Sequence, residues 1–229
     1  MTKNDSRKST IRIWDLPTRL FHILFALSVT GALISVKLAG AWMDWHLRFG
    51  ISALALLVFR IIWGFVGPRY ARFGQFVKSP AQTWQYLRAS RTYEQKHAGH
   101  NPLGAWSVLA MLGLIAVQAT TGLFTSDEIL TQGPFTDFVS EATSALMGKI
   151  HHLNETPIYI VLVMHLVAVA FYSIKRHGLV KPMITGDVNA SKLPAETPAT
   201  TDGLSIRLVA LLIALILSYI AHYLIKISG

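Results

Sequence analysis

The segment 151-HHLNETPIYIVLVMH-165 is the most informative part of this sequence for the architecture of the chain. His151 and His165 stand at its two ends, with a mainly apolar segment between them. Fourteen helical steps of about 100° leave the two residues only about 40° apart around the axis, and a rise of about 1.5 Å per residue separates them by about 21 Å along it. A bilayer core is about 30 Å thick, so in a membrane-spanning helix both histidines would share one face, near opposite surfaces.

The composition indicates a membrane protein. The chain has 229 residues, of which only 14% are charged and 52% are hydrophobic. It has no cysteine, which excludes disulfides, thiolate metal sites, iron–sulfur clusters and covalently attached haem. The formal charge of +9 comes from basic residues clustered between apolar runs, so membrane topology explains it and we expect no nucleic-acid partner. The basic N-terminal stretch is too long for a signal peptide, and the first apolar run is expected to remain in the mature protein.

Five stretches approach the roughly 20 apolar residues that a helix needs to cross a bilayer: 19–37, 47–66, 103–123, 154–174 and 206–225. The predicted fold class is an all-α membrane protein, with a four-helix transmembrane bundle in residues 1–186. Residues 187–205 form a linker whose Pro, Thr and Ala content predicts flexibility. Residues 206–229 form an appended C-terminal transmembrane helix.

The distribution of charge predicts the orientation. Basic residues precede the first span, lie between the second and third, and follow the fourth, which places these segments in the cytoplasm by the positive-inside rule. They are Lys3, Arg7, Lys8, Arg12 and Arg19; Arg69, Arg72, Lys78, Arg88, Arg91 and Lys96; and Lys175, Arg176 and Lys181. The loop 124–150 is acidic and is predicted to lie outside, with Asp127, Glu128, Asp137 and Glu141 against Lys149.

Four histidines inside or at the ends of spans are candidates for a functional site, because an ionisable side chain in a membrane is costly. Depth pairs His22 of the first span with His165 on the cytoplasmic side, and His46 of the second span with His151 on the outer side. A six-coordinate haem iron takes one axial ligand from each side, so the two pairs predict two stacked haems. A single membrane histidine more often only forms a hydrogen bond across helices, and zinc would need three or four ligands converging on one point.

One ligand has an adjacent alternative. His152 is rotated about 140° from the face of His165, so His151 is preferred, but the choice between them stays open at this stage. The third span has no histidine and is predicted to be a packing wall. Its Gly104, Gly113 and Gly122 permit close approach of a helix or a porphyrin.

Other polar residues are secondary candidates. Arg60 follows His46 by fourteen residues, which places it on the same side at the depth of the inner haem, where it could pair with a propionate or a quinone oxygen. Arg19, one turn before His22, is a candidate for the same role. For both residues the alternative is an arginine that snorkels to the membrane surface. His97 and His100 are expected to be solvated loop residues, with Asn101 and Pro102 capping the third span. His177 and His222 are expected to be interfacial.

Four motifs match a known family: WDLPTRLFH at 14–22, FRIIWGFVGPRYARFGQFV at 59–77, HNPLGAW at 100–106 and GLVKPMITG at 178–186. Through these motifs the chain resembles the bacterial cytochrome b561 family, and within it the b-type cytochrome subunit of nickel–iron hydrogenases. The resemblance implies a four-helix core with two haems b, each held by two histidines. The first and second helices would supply one each and the fourth would supply two. Relatives commonly have a carboxylate where this chain has His152, and the fifth helix departs from the minimal form.

The resemblance implies electron transfer between the membrane quinone pool, ubiquinone or menaquinone, and a periplasmic redox partner such as a c-type cytochrome. The expected location is the bacterial inner membrane, as a multi-pass protein in contact with lipid and with a cytoplasmic N-terminus. The fifth helix could dock a partner or a second copy in a homodimer. A stand-alone enzyme that oxidises superoxide and reduces ubiquinone is the alternative function. A transporter or a purely structural subunit is a third class, which would have no chromophore.

Overall fold

The computed structural model describes residues 10–89, 96–126, 132–174 and 178–228. In chain order the elements are β1 (Thr10–Arg12), α1 (Leu16–Leu38), a 3-10 turn (Gly40–Trp42), α2 (Met43–Val66), α3 (Phe73–Phe76), α4 (Pro80–Ala89), α5 (Pro102–Gly122), a 3-10 turn (Thr136–Phe138), α6 (Glu141–Ile174), α7 (Val180–Thr185), β2 (Asp187–Asn189), a 3-10 turn (Ala190–Lys192) and α8 (Leu204–Ile227). Five helical segments among these residues are long and apolar enough to cross a membrane: α1, Gly40–Val66, α5, α6 and α8. The predicted fold class is confirmed.

Local capping explains where two of these helices begin. The Asp15 carboxylate accepts a hydrogen bond from the backbone N–H of Thr18 at 3.1 Å, so α1 begins at Leu16, earlier than its apolar run indicates. The Asn101 side chain accepts from the N–H of Gly104 at 2.7 Å, and Pro102 stands in the first turn of α5. The predicted cap of α5 is confirmed.

Helix α6 is longer than the apolar pattern predicts. It begins at Glu141 and runs for 34 residues, so the prediction that the outer loop extends to residue 150 was wrong. The first turns, EATSALMGKI, are too polar for a membrane span but contain good helix formers. The Ser140 hydroxyl accepts a hydrogen bond from the N–H of Thr143 at 3.2 Å and so caps this extension.

Helix α2 is the centre of the bundle. It packs against α1, α5 and α8, whereas the principal packing partner of α6 is α5. The largest buried cluster joins Phe21 of α1, Leu57 and Trp63 of α2, Leu112 of α5 and Ala210 of α8. The fifth transmembrane helix is therefore docked on the side of α2.

The composition of the segment between α7 and α8 predicts a flexible linker, and in the structure this segment makes hydrogen bonds with the N-terminal strand. Its strand β2 pairs antiparallel with β1, with Arg12 opposite Asp187, and the N–H of Thr200 donates to the carbonyl of Arg12 at 2.7 Å. The Arg12 guanidinium donates to Asp187 at 2.6 Å and to Asp202 at 2.7 Å. These hydrogen bonds raise the pKa of Arg12, and two carboxylates from the segment thereby hold the N-terminal strand.

The segments predicted to be cytoplasmic meet at one end of the bundle, called the basic end below. It comprises residues 10–15, 67–89, 96–101 and 178–203. The Tyr70 hydroxyl donates to the carbonyl of Pro198 at 2.7 Å, and Trp14 contacts His100 with ring centres 4.9 Å apart. Residues 90–95 and 175–177, which include Arg91, Lys175 and Arg176, lie outside the described residues, as do residues 1–9 and 127–131.

Candidate haem-binding site

Two pairs of histidines face each other across the bundle. His22 of α1 lies opposite His165 of α6, with imidazole centres 6.5 Å apart and ring planes at 55°. His46 of α2 lies opposite His151 of α6, with centres 6.1 Å apart and planes at 83°. The first, called the inner pair, is nearer the basic end, and the second, the outer pair, is nearer the other end. The structure therefore brings together the same residues that the depth argument paired.

The spacing within each pair fits one metal ion bound between two imidazoles. A histidine nitrogen binds such a metal at about 2.0 Å, which puts the centres of two opposed rings roughly 6.4 Å apart. The observed separations of 6.5 Å and 6.1 Å lie close to this value. The sequence neighbours His151 and His152 also have ring centres 6.2 Å apart, so the separation alone is not distinctive. The stronger observation is that histidines of different helices face each other at this separation at both ends of the bundle.

Backbone carbonyls orient both histidines of the outer pair. The Nδ1–H of His46 donates to the carbonyl of Ala32 on α1 at 2.8 Å, and the Nδ1–H of His151 donates to that of Gln118 on α5 at 2.9 Å. A carbonyl oxygen can only accept, so the proton is on Nδ1 and the lone pair of Nε2 is free to bind a metal. Hydrogen bonds of this kind commonly support histidines that bind metal ions.

The structure distinguishes His151 from its neighbour. His152 is exposed, whereas His151 is partly buried against α5. An added Cβ at Gly122 would lie 3.1 Å from Cε1 of His151, so the glycine leaves the space that this imidazole occupies. Of the three glycines proposed to allow close approach, Gly113 has no neighbour within 4 Å of such a Cβ, and Gly104 meets only the cap residue Asn101.

The interior between the two pairs is apolar. Val29 of α1, Ala53 of α2, Ile115 of α5 and Ile158 of α6 form a buried cluster at the middle of the bundle. A porphyrin has apolar faces and could rest against either side of this cluster. Within the described ranges, no three or more His, Cys, Asp or Glu side chains converge on one point. A haem iron needs only two protein ligands, which each pair supplies.

Comparison with protein families identifies the chain. The family model described as prokaryotic cytochrome b561 matches residues 13–186. The chain belongs to this family. It is therefore a multi-pass membrane b-type cytochrome of electron transfer, and membership implies that it binds b-type haem. Comparisons with curated proteins and with solved structures found no match. Closeness to the hydrogenase subunit stays a prediction.

In this cytochrome Arg60 is buried beside the basic end. Its side chain lies on α2 with an exposed fraction of 3%, and its guanidinium stands 4.6 Å from the ring centre of Phe73 and 5.8 Å from that of Phe76. Its Nη1 atom is buried and has no hydrogen-bond partner in the part of the chain that the structure describes. A snorkelling arginine would reach water, so the burial argues against that alternative.

Only part of the Arg19 guanidinium has a hydrogen-bond partner among the described residues. Its Nη1 donates to the carbonyl of Ile184 in α7, while its Nε is buried and has no partner among the described residues. This cytochrome thus uses Arg19 to connect α1 to α7. Binding of a cofactor by Arg19 stays a prediction.

His100 is the residue that the sequence reasoning missed. The expectation of a solvated loop histidine is wrong, because its ring packs against Trp14 at 4.9 Å and Phe76 at 4.8 Å. Its Nδ1 is buried without a partner among the described residues. Burial, together with the nearby Arg60 cation, lowers the pKa of His100 to about 3, so the imidazole is neutral at physiological pH. Its position inside the HNPLGAW motif, directly before the cap of α5, was the available signal.

The remaining histidines are separate from the two pairs. His97 packs edge-on against Tyr86, with ring centres 5.1 Å apart, and burial lowers its pKa. His222 is exposed on α8. His177 lies outside the described residues.

Proposed function

We propose that this cytochrome holds two haems b, an inner one between His22 and His165 and an outer one between His46 and His151. The supporting observation is the separation of the imidazole centres, 6.5 Å and 6.1 Å, which suits one iron ion between each pair. Hydrogen bonds to the carbonyls of the neighbouring helices support the outer pair further. The protein would span the bacterial inner membrane with the basic end in the cytoplasm.

Each haem, when bound, supplies a centre that accepts and releases one electron reversibly. The chain contributes axial nitrogens, a fixed ring orientation and a largely apolar surrounding, all of which tune reduction potential. His165 and His151 are on one helix, so α6 would supply one ligand to each haem, while the second ligands come from α1 and α2. We propose that electrons pass between the two haems along this helix.

The two ends of this path would meet different partners. Quinone from the membrane pool would exchange electrons near the basic end, where Arg60 lies. A periplasmic electron-transfer protein, such as a c-type cytochrome, would dock at the opposite end. Asp137 and Glu141 are exposed there and would attract a basic partner.

Absorption spectroscopy of the purified protein tests the haem proposal. We expect reduced-minus-oxidised bands of haem b and a pyridine-haemochrome stoichiometry of about two per chain, one for each bis-histidine site. His151→Ala should remove the outer haem and leave the inner one. The matched control, His152→Ala, removes an exposed imidazole one residue away and should keep both. A colourless wild-type protein, or equal haem loss in both variants, would contradict the assignment.

A further inference from the structure

Four buried side-chain nitrogen atoms lack hydrogen-bond partners in the described part of the chain: Nε of Arg19, Nη1 of Arg60, Nε2 of His97 and Nδ1 of His100. Arg60 and His100 are the two that share a neighbour, Phe76 of α3. Buried polar groups without partners are rare in folded proteins, since each would lose its hydrogen bonds to water. Two of them in one place point to a group that supplies acceptors when it is bound.

The two side chains belong to one small site. Phe76 of α3 is close to both, with its ring 5.8 Å from the Arg60 guanidinium and 4.8 Å from the His100 ring. His100 also lies within electrostatic reach of Arg60, His22 and His165. The site is therefore bordered on one side by the inner pair and on the other by α3.

Asp15 is an acidic residue near Arg60, but it does not accept a hydrogen bond from the Arg60 guanidinium. Asp15 acts electrostatically on Arg60, but its carboxylate already accepts from the N–H of Thr18 at 3.1 Å, the hydroxyl of Thr18 at 2.8 Å and Nε1 of Trp63 at 2.9 Å. The structure shows no hydrogen bond between Asp15 and Arg60 among the described residues. The guanidinium thus keeps a donor for another acceptor.

The proton of a neutral imidazole is on either nitrogen, and with the proton on Nδ1 His100 is a second donor beside the Arg60 cation. That pairing selects the class of ligand. A buried guanidinium needs a negative charge, and a carboxylate supplies that charge together with two acceptor oxygens. A quinone carbonyl is neutral and would leave the arginine without a counter-charge. The two separate donors suit one carboxylate, with one oxygen toward Arg60 and the other toward His100.

We infer that Arg60 and His100 together bind one propionate of the inner haem. The inference rests on the proposed function, because the propionate is present only if the inner pair holds haem. It assigns to His100 the role of a cofactor-binding residue. It also explains why an arginine stands in a buried position on a membrane helix, where its charge would otherwise be very costly.

Infrared redox-difference spectroscopy on protein with ¹³C-labelled haem propionates tests the inference. The variants are Arg60→Gln, which removes the charge, Arg60→Lys, which keeps it, and His100→Phe, which keeps the ring packing without the donor. The controls are Arg48→Gln, an arginine on the same helix that pairs with Asp44 on the surface, and His97→Gln in the same loop.

We expect the ¹³C-sensitive carboxylate bands to shift in Arg60→Gln and His100→Phe, to shift less in Arg60→Lys, and to stay unchanged in both controls. Loss of the positive charge disfavours the reduced haem. In Arg60→Gln we therefore expect the inner haem to change its oxidised-to-reduced equilibrium by at least tenfold, a fall of about 59 mV for one electron. If Arg60→Gln loses the inner haem, the bands of His100→Phe decide whether the inference holds.

Unchanged propionate bands in His100→Phe and both Arg60 variants, with both haems retained, would overturn the inference. A shift confined to quinone carbonyl bands would also overturn it and would assign the site to quinone. Either result leaves the two-haem proposal standing. That proposal fails separately if the wild-type protein contains no haem held by His22 and His165.

Discussion

Removal of the Asp202 carboxylate should destabilise the protein, although Asp202 is not one of the proposed haem ligands. Asp202 accepts from the backbone N–H of Leu16 at 3.1 Å, from Arg12 at 2.7 Å and from Arg207 at 3.1 Å, and its side chain is only 6% exposed. Asp202→Ala leaves the first N–H of α1 without its acceptor, and Arg12 keeps only its bonds to Asp187. Hydrogen bonds to charged groups contribute about 1.5–3 kcal/mol, and Arg207 is largely exposed, so we expect a loss of about 2–4 kcal/mol.

Thermal unfolding in detergent, followed by circular dichroism, measures this loss. For a chain of this size about 1 kcal/mol shifts the midpoint by roughly 2–4 °C, so Asp202→Ala should unfold roughly 4–16 °C lower. The control is Asp44→Ala, which breaks a half-exposed pair with Arg48 four residues away, for which we expect about 0.5 kcal/mol or less. Equal shifts in the two variants would contradict a stabilising role for the hydrogen bonds of Asp202.

The stabilisation that the Asp202 carboxylate contributes should depend on pH. Burial alone would raise the pKa of Asp202, but hydrogen bonds from Arg207, from the N–H of Leu16 and from Arg12 outweigh it and lower the pKa. The folded protein therefore binds this proton less readily than the unfolded chain. The stabilisation is complete above the ordinary carboxyl pKa of about 3.9 and is lost as the pH falls through the lower folded value. The difference between wild type and Asp202→Ala should vanish in that acid range.

Two further substitutions test the site and its support. Gly122→Ala puts a methyl group 3.1 Å from the His151 ring, and the bond of His151 to the Gln118 carbonyl keeps that ring from moving away. The outer haem should therefore be lost or show a changed electron paramagnetic resonance signal. The control Gly113→Ala, where the new methyl group meets open space, should show neither effect. Trp63→Phe removes the indole hydrogen bond to Asp15 at 2.9 Å and should cost about 1.5–3 kcal/mol in thermal unfolding, whereas a cost below about 0.5 kcal/mol would contradict a role for that bond.

The pairing of the four histidines could be predicted because it depends on two simple rules. Helical geometry places His151 and His165 on one face about 21 Å apart, and the positive-inside rule sets the depth of His22 and His46. Neither rule needs knowledge of side-chain packing. The five spans were predicted from the lengths of apolar runs and the family from four sequence motifs, and both are confirmed.

The features that were missed depend on contacts between distant parts of the chain. His100 is half-buried because Trp14 and Phe76 pack against its ring, and the HNPLGAW motif marks the position without showing which distant residues cover it. The segment before α8 has the composition of a flexible linker, yet its carboxylates meet Arg12 more than 170 residues earlier. Composition describes a segment by itself and cannot show which distant charge it will meet.

The hydrogen bonds of the outer pair go to main-chain oxygens, and this has a consequence for how the site can change during evolution. Every residue type has a carbonyl, so a substitution at Ala32 or Gln118 leaves the acceptor for His46 or His151 in place as long as the helix persists. Related proteins could therefore differ at either position and still hold their imidazoles in the same orientation, although a change at Gln118 would also remove its side-chain bond to Asn154. Among relatives, this support would be visible only in structures, because no sequence position has to be conserved to keep it.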